Sequence, residues 1–305
     1  EDMGPSASLA GRRIGMDFEG KDGWSMYHGD VVPGFPRHPH RGFETITIAR
    51  RGFIDHADSL GATARFGKGD VQWMTAGNGV VHSEMFPLLN RDGGNTTELF
   101  QIWLNLPRED KTKDAYFTMF WNEEIPRKTF ESDSGSAVVT VIAGKFADEE
   151  PLSPPPSSWA SKPESNVAVW TLAMEGAATV ALPPADQSVN RVLYVFGGKA
   201  LRVGDVPIES GTAAQLSPGV EVQVSSTEGG EALLLQGKPI GEPVVQQGPF
   251  VVNYPGEIRQ TMLDYQQTGF GGWKWQSDGP VHPRDAGRFA IHADGNRETP
   301  DQRSR

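Results

Sequence analysis

The sequence predicts an all-β chain of two small barrels in tandem, with one short helix near the C-terminus. Three observations carry this expectation. The apolar segments are short, β-branched or aromatic, and bounded by Gly, Pro, Asn or Asp. The 305 residues include 36 Gly and 23 Pro, so turns are frequent. The order strand, Gly turn, strand, Gly-Asp, strand, Gly turn, strand runs over 44–84 and again over 190–224.

In chain order the expected strands are 45–49 (TITIA), 70–74 (DVQWM), 99–106 (LFQIWLNL), 137–143 (AVVTVIA), 167–172 (VAVWTL), 191–196 (RVLYVF), 220–224 (VEVQV) and 232–235 (ALLL). Residues 152–166 (LSPPPSSWASKPESN) are too rich in Pro and Ser for a regular element and read as an exposed loop. A helix is expected over 257–265, where Ile258, Met262 and Tyr265 share one face. From about Ser277 the chain is polar without apolar periodicity and reads as a loosely held tail. The expected division is thus a first barrel over 1–135, a second barrel with the helix over 136–276, and a tail over 277–305.

Composition removes several function classes. The chain has no cysteine, which excludes disulfides, zinc ribbons, iron–sulfur clusters and thiol nucleophiles. Any metal must be held by His and carboxylate. A net charge of −11 argues against direct nucleic-acid contact but leaves room for a basic protein partner. No apolar run approaches the roughly 20 residues that a membrane-spanning helix needs. The first residues, EDMGPSASLAGRR, lack the basic-then-apolar pattern of a secretory signal and leave the true start open. Cytoplasmic residence is the expectation, or nuclear in a eukaryote.

The seven histidines stand at 28, 38, 40, 56, 82, 282 and 292, so imidazole metal chemistry belongs to the first barrel. His38-Pro39-His40 is an H-x-H pair. On an extended strand, residues two apart point to the same side, about 6–7 Å apart. His82-Ser83-Glu84 repeats the arrangement after the Asn78-Gly79 turn. Two such pairs lining one barrel would supply three neutral nitrogens and one anionic oxygen, a set suited to Fe(II), with Mn, Ni, Cu or Zn as alternatives. Neutral imidazoles are needed for ligation, so metal retention is expected to fall as pH drops through about 6 to 5.

The segments GFPRHPHRGFET (34–45), GDVQWMTAGNGVVHSE (69–84), LFQIWLNLP (99–107), NEEIP (122–126) and QGPFVVN (247–253) closely resemble the pirin family. The resemblance implies two cupin barrels of jelly-roll type, face to face, with a single metal, usually iron, in the first. Carried over residue by residue, it implies His38, His40, His82 and Glu84 as the metal ligands. Aligning Gly52 with Gly198 and Gly79 with Gly219 puts Val222 and Val224 opposite His82 and Glu84, so the second barrel is expected to hold no metal.

Other residues have competing readings. Glu44 completes the general cupin pattern H-x-H-x3-E, yet on a straight strand it stands about 13 Å beyond His40. A supporting role, orienting a ligand imidazole, is favoured. Arg41 and Arg37 flank the pair and either hold an anionic substrate or balance nearby carboxylates. Phe35, Trp73, Met74 and Trp103 are candidates for an aromatic pocket over the metal, with core packing as the default. His56, in IDHADS, reads as part of a solvated hairpin. His28 reads as surface or packed, and His282 and His292 carry no signal.

The pirin resemblance implies two functions. One is a quercetin 2,3-dioxygenase type activity on a flavonol or similar aromatic enol, with Glu84 taking the hydroxyl proton. The other is a non-catalytic, iron- and redox-dependent regulator read by a protein partner.

Overall fold

The computed structural model describes residues 32–90 and 92–300. His28 therefore lies outside the described residues. The contacts divide the chain into two compact units, one reaching Glu123 and resuming at Glu242, the other spanning Glu124–Gly241.

The first unit opens with eight strands: β1 Gly34–His40, β2 Phe43–Arg51, β3 Phe53–Asp58, β4 Thr63–Gly67, β5 Asp70–Thr75, β6 Val80–Met85, β7 Glu98–Asn105 and β8 Tyr116–Phe120. The second unit holds β9 Arg127–Ser132, β10 Gly135–Ala143, β11 Ala168–Gly176, β12 Ala178–Leu182, β13 Asn190–Gly198, β14 Leu201–Val203, β15 Val206–Ile208, β16 Thr212–Gln215, β17 Val222–Ser226 and β18 Gly230–Gly237. The chain then returns to the first unit with β19 Val245–Gln247, β20 Phe250–Val252, helix α1 Pro255–Thr268, β21 Phe289–Ile291 and β22 Arg297–Glu298. Each of the eight strands expected from short β-branched runs falls on one of these.

Both units are double-sheet cupin barrels. In the first, the order β1-β6-β3-β4-β21-β22 forms one sheet and β7-β2-β5-β8 the other. In the second, β16-β13-β18-β11-β10-β9 packs with β12-β17-β14-β15. The repeated punctuation has a physical counterpart. Gly52 and Gly198 close the first long strand of each barrel with φ of 74° and 72°, a region open to glycine at little cost. The interior of the second barrel is a continuous apolar cluster that includes Val139, Leu172, Leu193, Val224 and Leu234. Val224 is buried in it and Val222 packs against it, where the aligned positions of the first barrel carry Glu84 and His82.

Three expectations change. Residues 277–300 are not a loose tail. β21 pairs with β4, the Arg37 amide donates to the Asp278 carbonyl, and Arg284 reaches the carbonyls of Leu88 and Leu89. The reason lies in Arg65, whose buried guanidinium pairs with Asp55 and still needs acceptors, which the carbonyls of His282 and Pro283 supply. The helix turns Ile258, Thr261 and Tyr265 inward, while Met262 faces solvent. It belongs with the first unit, because Ile258 and Tyr265 pack on Phe250 and Phe270. The loop at 152–166 is partly ordered by two short 3-10 turns, and Ser158 and Ser165 are buried.

Candidate metal centre

Strands β1 and β6 run antiparallel, and His38 is the direct partner of His82. Antiparallel partners share a face, as do residues two apart on one strand. His38, His40 and His82 must therefore converge inside the first barrel. Their rings lie 4.4 Å (His38–His82), 4.7 Å (His38–His40) and 4.9 Å (His40–His82) apart, centroid to centroid. One nitrogen from each falls within 4.8 Å of the other two. Among the described residues, this is the group of metal-capable side chains that comes together.

Gly42 makes the turn behind His40. Its φ is +84°, and an added Cβ would stand 1.9 Å from the Val251 carbonyl oxygen, so only glycine lets the chain pass from β1 to β2 there.

The protonation pattern suits ligation. The His38 Nδ1–H donates to the Pro36 carbonyl over 2.7 Å, which leaves Nε2 with its lone pair free. Burial holds His40 and His82 well below the ordinary imidazole range, reinforced by the neighbouring imidazoles. Burial also lowers His38, against a weaker opposing pull from Glu84. The neutral forms thus persist to lower pH than the unperturbed 6.5 that underlies a retention window of about 6 to 5. Neither ring nitrogen of His40 or His82 makes a hydrogen bond with protein. A buried polar atom without a partner costs about 1–3 kcal/mol. A divalent cation would take up those lone pairs, so the donor set fits a metal.

Glu84 stands beside the triad, with Oε2 4.0 Å from His82 Nε2. Gln101 Nε2 donates to Oε2 over 2.7 Å, and Thr47 Oγ1 lies 3.4 Å from Oε1. Thr47 and Gln101 are direct partners on β2 and β7, so one ladder rung carries both groups. Neither was singled out in the sequence. The available signal was a Gln in the otherwise apolar run LFQIWLNL.

The remaining residues sort as follows. Glu44 is fully buried and accepts from Thr75 Oγ1 at 2.6 Å. Phe35 lies edge-on to His38 at 6.3 Å. Trp103 covers Phe43 at 4.4 Å and His40 at 5.7 Å and is 44% exposed, which makes it the aromatic surface over the triad. Met74 is core, packed with Phe117 and Val80, and Trp73 meets Phe120 at 6.2 Å. Arg41 turns away from the imidazoles to Asp264 and Asn78, and Arg37 pairs with Asp278. His56 is no solvated hairpin residue. Strand β3 is central, between β6 and β4, so His56 is fully buried, partners Glu84 across the ladder and lies 5.5 Å from His82. His282 bonds Thr63, and His292 bonds Glu298 and stacks on Phe117.

The chain matches the Pirin family model over residues 14–104 and the model of the Pirin C-terminal cupin domain over 169–271. A Pseudomonas aeruginosa protein named "Putative quercetin 2,3-dioxygenase" is 37% identical over 239 residues, covering 78% of this chain and 80% of that protein. A pirin-like protein of Caulobacter vibrioides is 36% identical over 241 residues, covering 79% and 82%. Among solved structures, a quercetin 2,3-dioxygenase from Acinetobacter baumannii superimposes with a TM-score of 0.69 at 33% identity, covering 78% of this chain and 80% of that one.

Proposed function

The chain belongs to the pirin family, and from that footing we propose that it is a mononuclear-metal dioxygenase of the quercetin 2,3-dioxygenase type, acting on a flavonol or similar aromatic enol. The observation that carries this reading is a buried cluster of three neutral imidazoles next to an oriented carboxylate and beneath an exposed indole. In this reading His38, His40, His82 and Glu84 hold one divalent ion, Fe(II) by preference. When bound, the ion supplies Lewis acidity at the substrate's vicinal oxygens and a meeting point for dioxygen.

The side chains have distinct tasks. Trp103 and Phe43 offer a flat apolar face to an aromatic ring. A Glu84 carboxylate oxygen accepts the proton of the enolic hydroxyl. Gln101 and Thr47 fix the rotamer of that carboxylate while leaving lone pairs free. Burial of His40, His82 and Glu84 keeps bulk water from the reacting oxygens.

The test is aerobic incubation of iron-loaded protein with quercetin, following loss of the flavonol absorbance, with metal content measured in parallel. Turnover that depends on metal supports the proposal. Absence of turnover with each of Fe, Mn, Ni and Cu sinks it. Turnover that survives Glu84→Gln, with metal retained, would remove Glu84 as the base.

A further inference from the structure

The interior of the second barrel is apolar with one exception. On β13, Arg191, Leu193 and Val195 are buried while Asn190 and Val192 are exposed, so alternation turns Arg191 inward. Only 1% of Arg191 is exposed. Its Nη1 reaches the Pro218 carbonyl at a long 3.5 Å, and Nε and Nη2 are buried without a protein acceptor. Burial alone displaces its pKa, downward, with no carboxylate opposing it. A buried guanidinium without an anion is costly, and an aliphatic side chain would fill the position without that cost.

The two free donors are the parallel N–H groups of one guanidinium edge. The first barrel shows what that edge binds. Arg65 presents the same Nε and Nη2 to the two oxygens of Asp55, each at 2.7 Å. Arg191 carries this fork with no acidic residue in it.

A route to it exists. Gln236 is the direct cross-strand partner of Arg191, so their side chains share the inner face. Gln236 lines a cavity of about 370 Å³ together with Ala168, Trp170, Pro184 and Ala185. The Ala185 amide donates to the same Pro218 carbonyl that Arg191 approaches. The guanidinium thus stands at the wall of the cavity, between two of its lining residues. Gln236 donates Nε2 to the Asn166 carbonyl, and its Oε1 is buried with no donor. The cavity end therefore offers a bidentate fork for a carboxylate and, one residue pair away, an acceptor for a hydroxyl.

We propose that the second barrel binds a small hydroxycarboxylic acid, its carboxylate on the Nε/Nη2 edge of Arg191 and its hydroxyl donating to Gln236 Oε1. This does not rest on the activity assigned to the first barrel. The test is calorimetric titration of the full-length, metal-loaded protein with lactate, propionate and inorganic phosphate as probes. Saturable one-to-one binding is expected, with lactate tighter than propionate and phosphate weakest. Arg191→Met should weaken lactate binding at least about 100-fold, as loss of a bidentate ion pair of about 3 kcal/mol would do. Gln236→Leu should erase the preference for lactate over propionate. Quercetin turnover in both variants should match the parent protein. If Arg191→Met does not fold, Arg191→Lys, which keeps the charge but loses the fork, should still weaken binding about tenfold or more. The proposal fails if neither acid binds, if Arg191→Met or the folded Lys variant binds as tightly as the parent, or if phosphate binds tightest. It also fails if the heat vanishes in His82→Ala instead, since the acid would then sit on the first-barrel metal.

Discussion

His38 and His82 are direct partners across the β1–β6 ladder, with their rings 4.4 Å apart. The metal-capable cluster therefore rests on a strand pairing and not on loop conformation. Its geometry forms with the sheet itself, and a cation binding it stabilises the folded barrel by mass action. His82→Ala should accordingly cut metal content at least about tenfold and abolish the rise in melting temperature that added Fe(II) or Ni(II) gives the parent protein. Inductively coupled plasma analysis and a thermal melt with and without metal check this. Undiminished metal in the variant would mean that the cluster is not the site.

Gln101 links the exposed face to the carboxylate. It donates to Glu84 Oε2, and its own Oε1 lies 3.4 Å from the Trp103 indole nitrogen. Gln101→Leu keeps the volume and removes the donor. Loss of such a supporting partner typically costs 10–100-fold in activity or metal affinity. A positioning role predicts that kcat falls while the KM for the flavonol changes less than about threefold. Gln101→Glu, which sets a second carboxylate against Glu84, should be worse than Leu. A fall confined to KM would assign Gln101 to substrate contact instead.

What the sequence made legible was local. Period-two spacing brings His38 and His40 to one face, and Gly52 and Gly198 mark equivalent turns because both need positive φ. What it hid was long-range. His56 looked solvated because its neighbours Asp55 and Asp58 are acidic, yet each carboxylate has a buried use. Asp55 holds Arg65, and Asp58 accepts the amides of Leu60 and Ala62. Thr47 and Gln101 are 54 residues apart, and only the β2–β7 register reveals them as one rung. Polarity without period likewise disguised 282–284, whose backbone carbonyls and not side chains do the binding.

Arg65 ties that late segment to the barrel. Arg65→Ala would leave Asp55 fully buried without its cation, and breaking one partner of such a pair costs roughly 3–5 kcal/mol. The variant should melt at least about 6 °C lower. Hydrogen exchange should speed up first at the His282 amide, which donates to Asp55 Oδ2 over 2.8 Å, and in β21. Replacing both partners, Arg65→Met with Asp55→Leu, should recover a large part of the loss. An Ala variant as stable as the parent would show that the pair and the segment are energetically idle.

Lys111 gives the pH dependence its sign. Its ammonium is 7% exposed and donates to the Gly42 carbonyl at 2.6 Å and to Asn105 Oδ1 at 2.5 Å. Burial lowers its pKa to about 8, against weaker upward pulls from Glu242 and Glu257. In the unfolded chain a lysine keeps its proton to about 10.4. Between about pH 8 and 10.4 the unfolded state therefore binds the extra proton, and raising the pH favours the folded state. Below pH 8 both states are charged, and the burial penalty, up to about 3 kcal/mol, is present in full. Denaturant titrations of the parent and of Lys111→Met across pH 7 to 10.5 isolate this contribution from the other lysines and the tyrosines. The parent should gain stability relative to the variant as pH rises through that window. A difference between the two that stays flat with pH would show that Lys111 keeps an ordinary pKa in the fold.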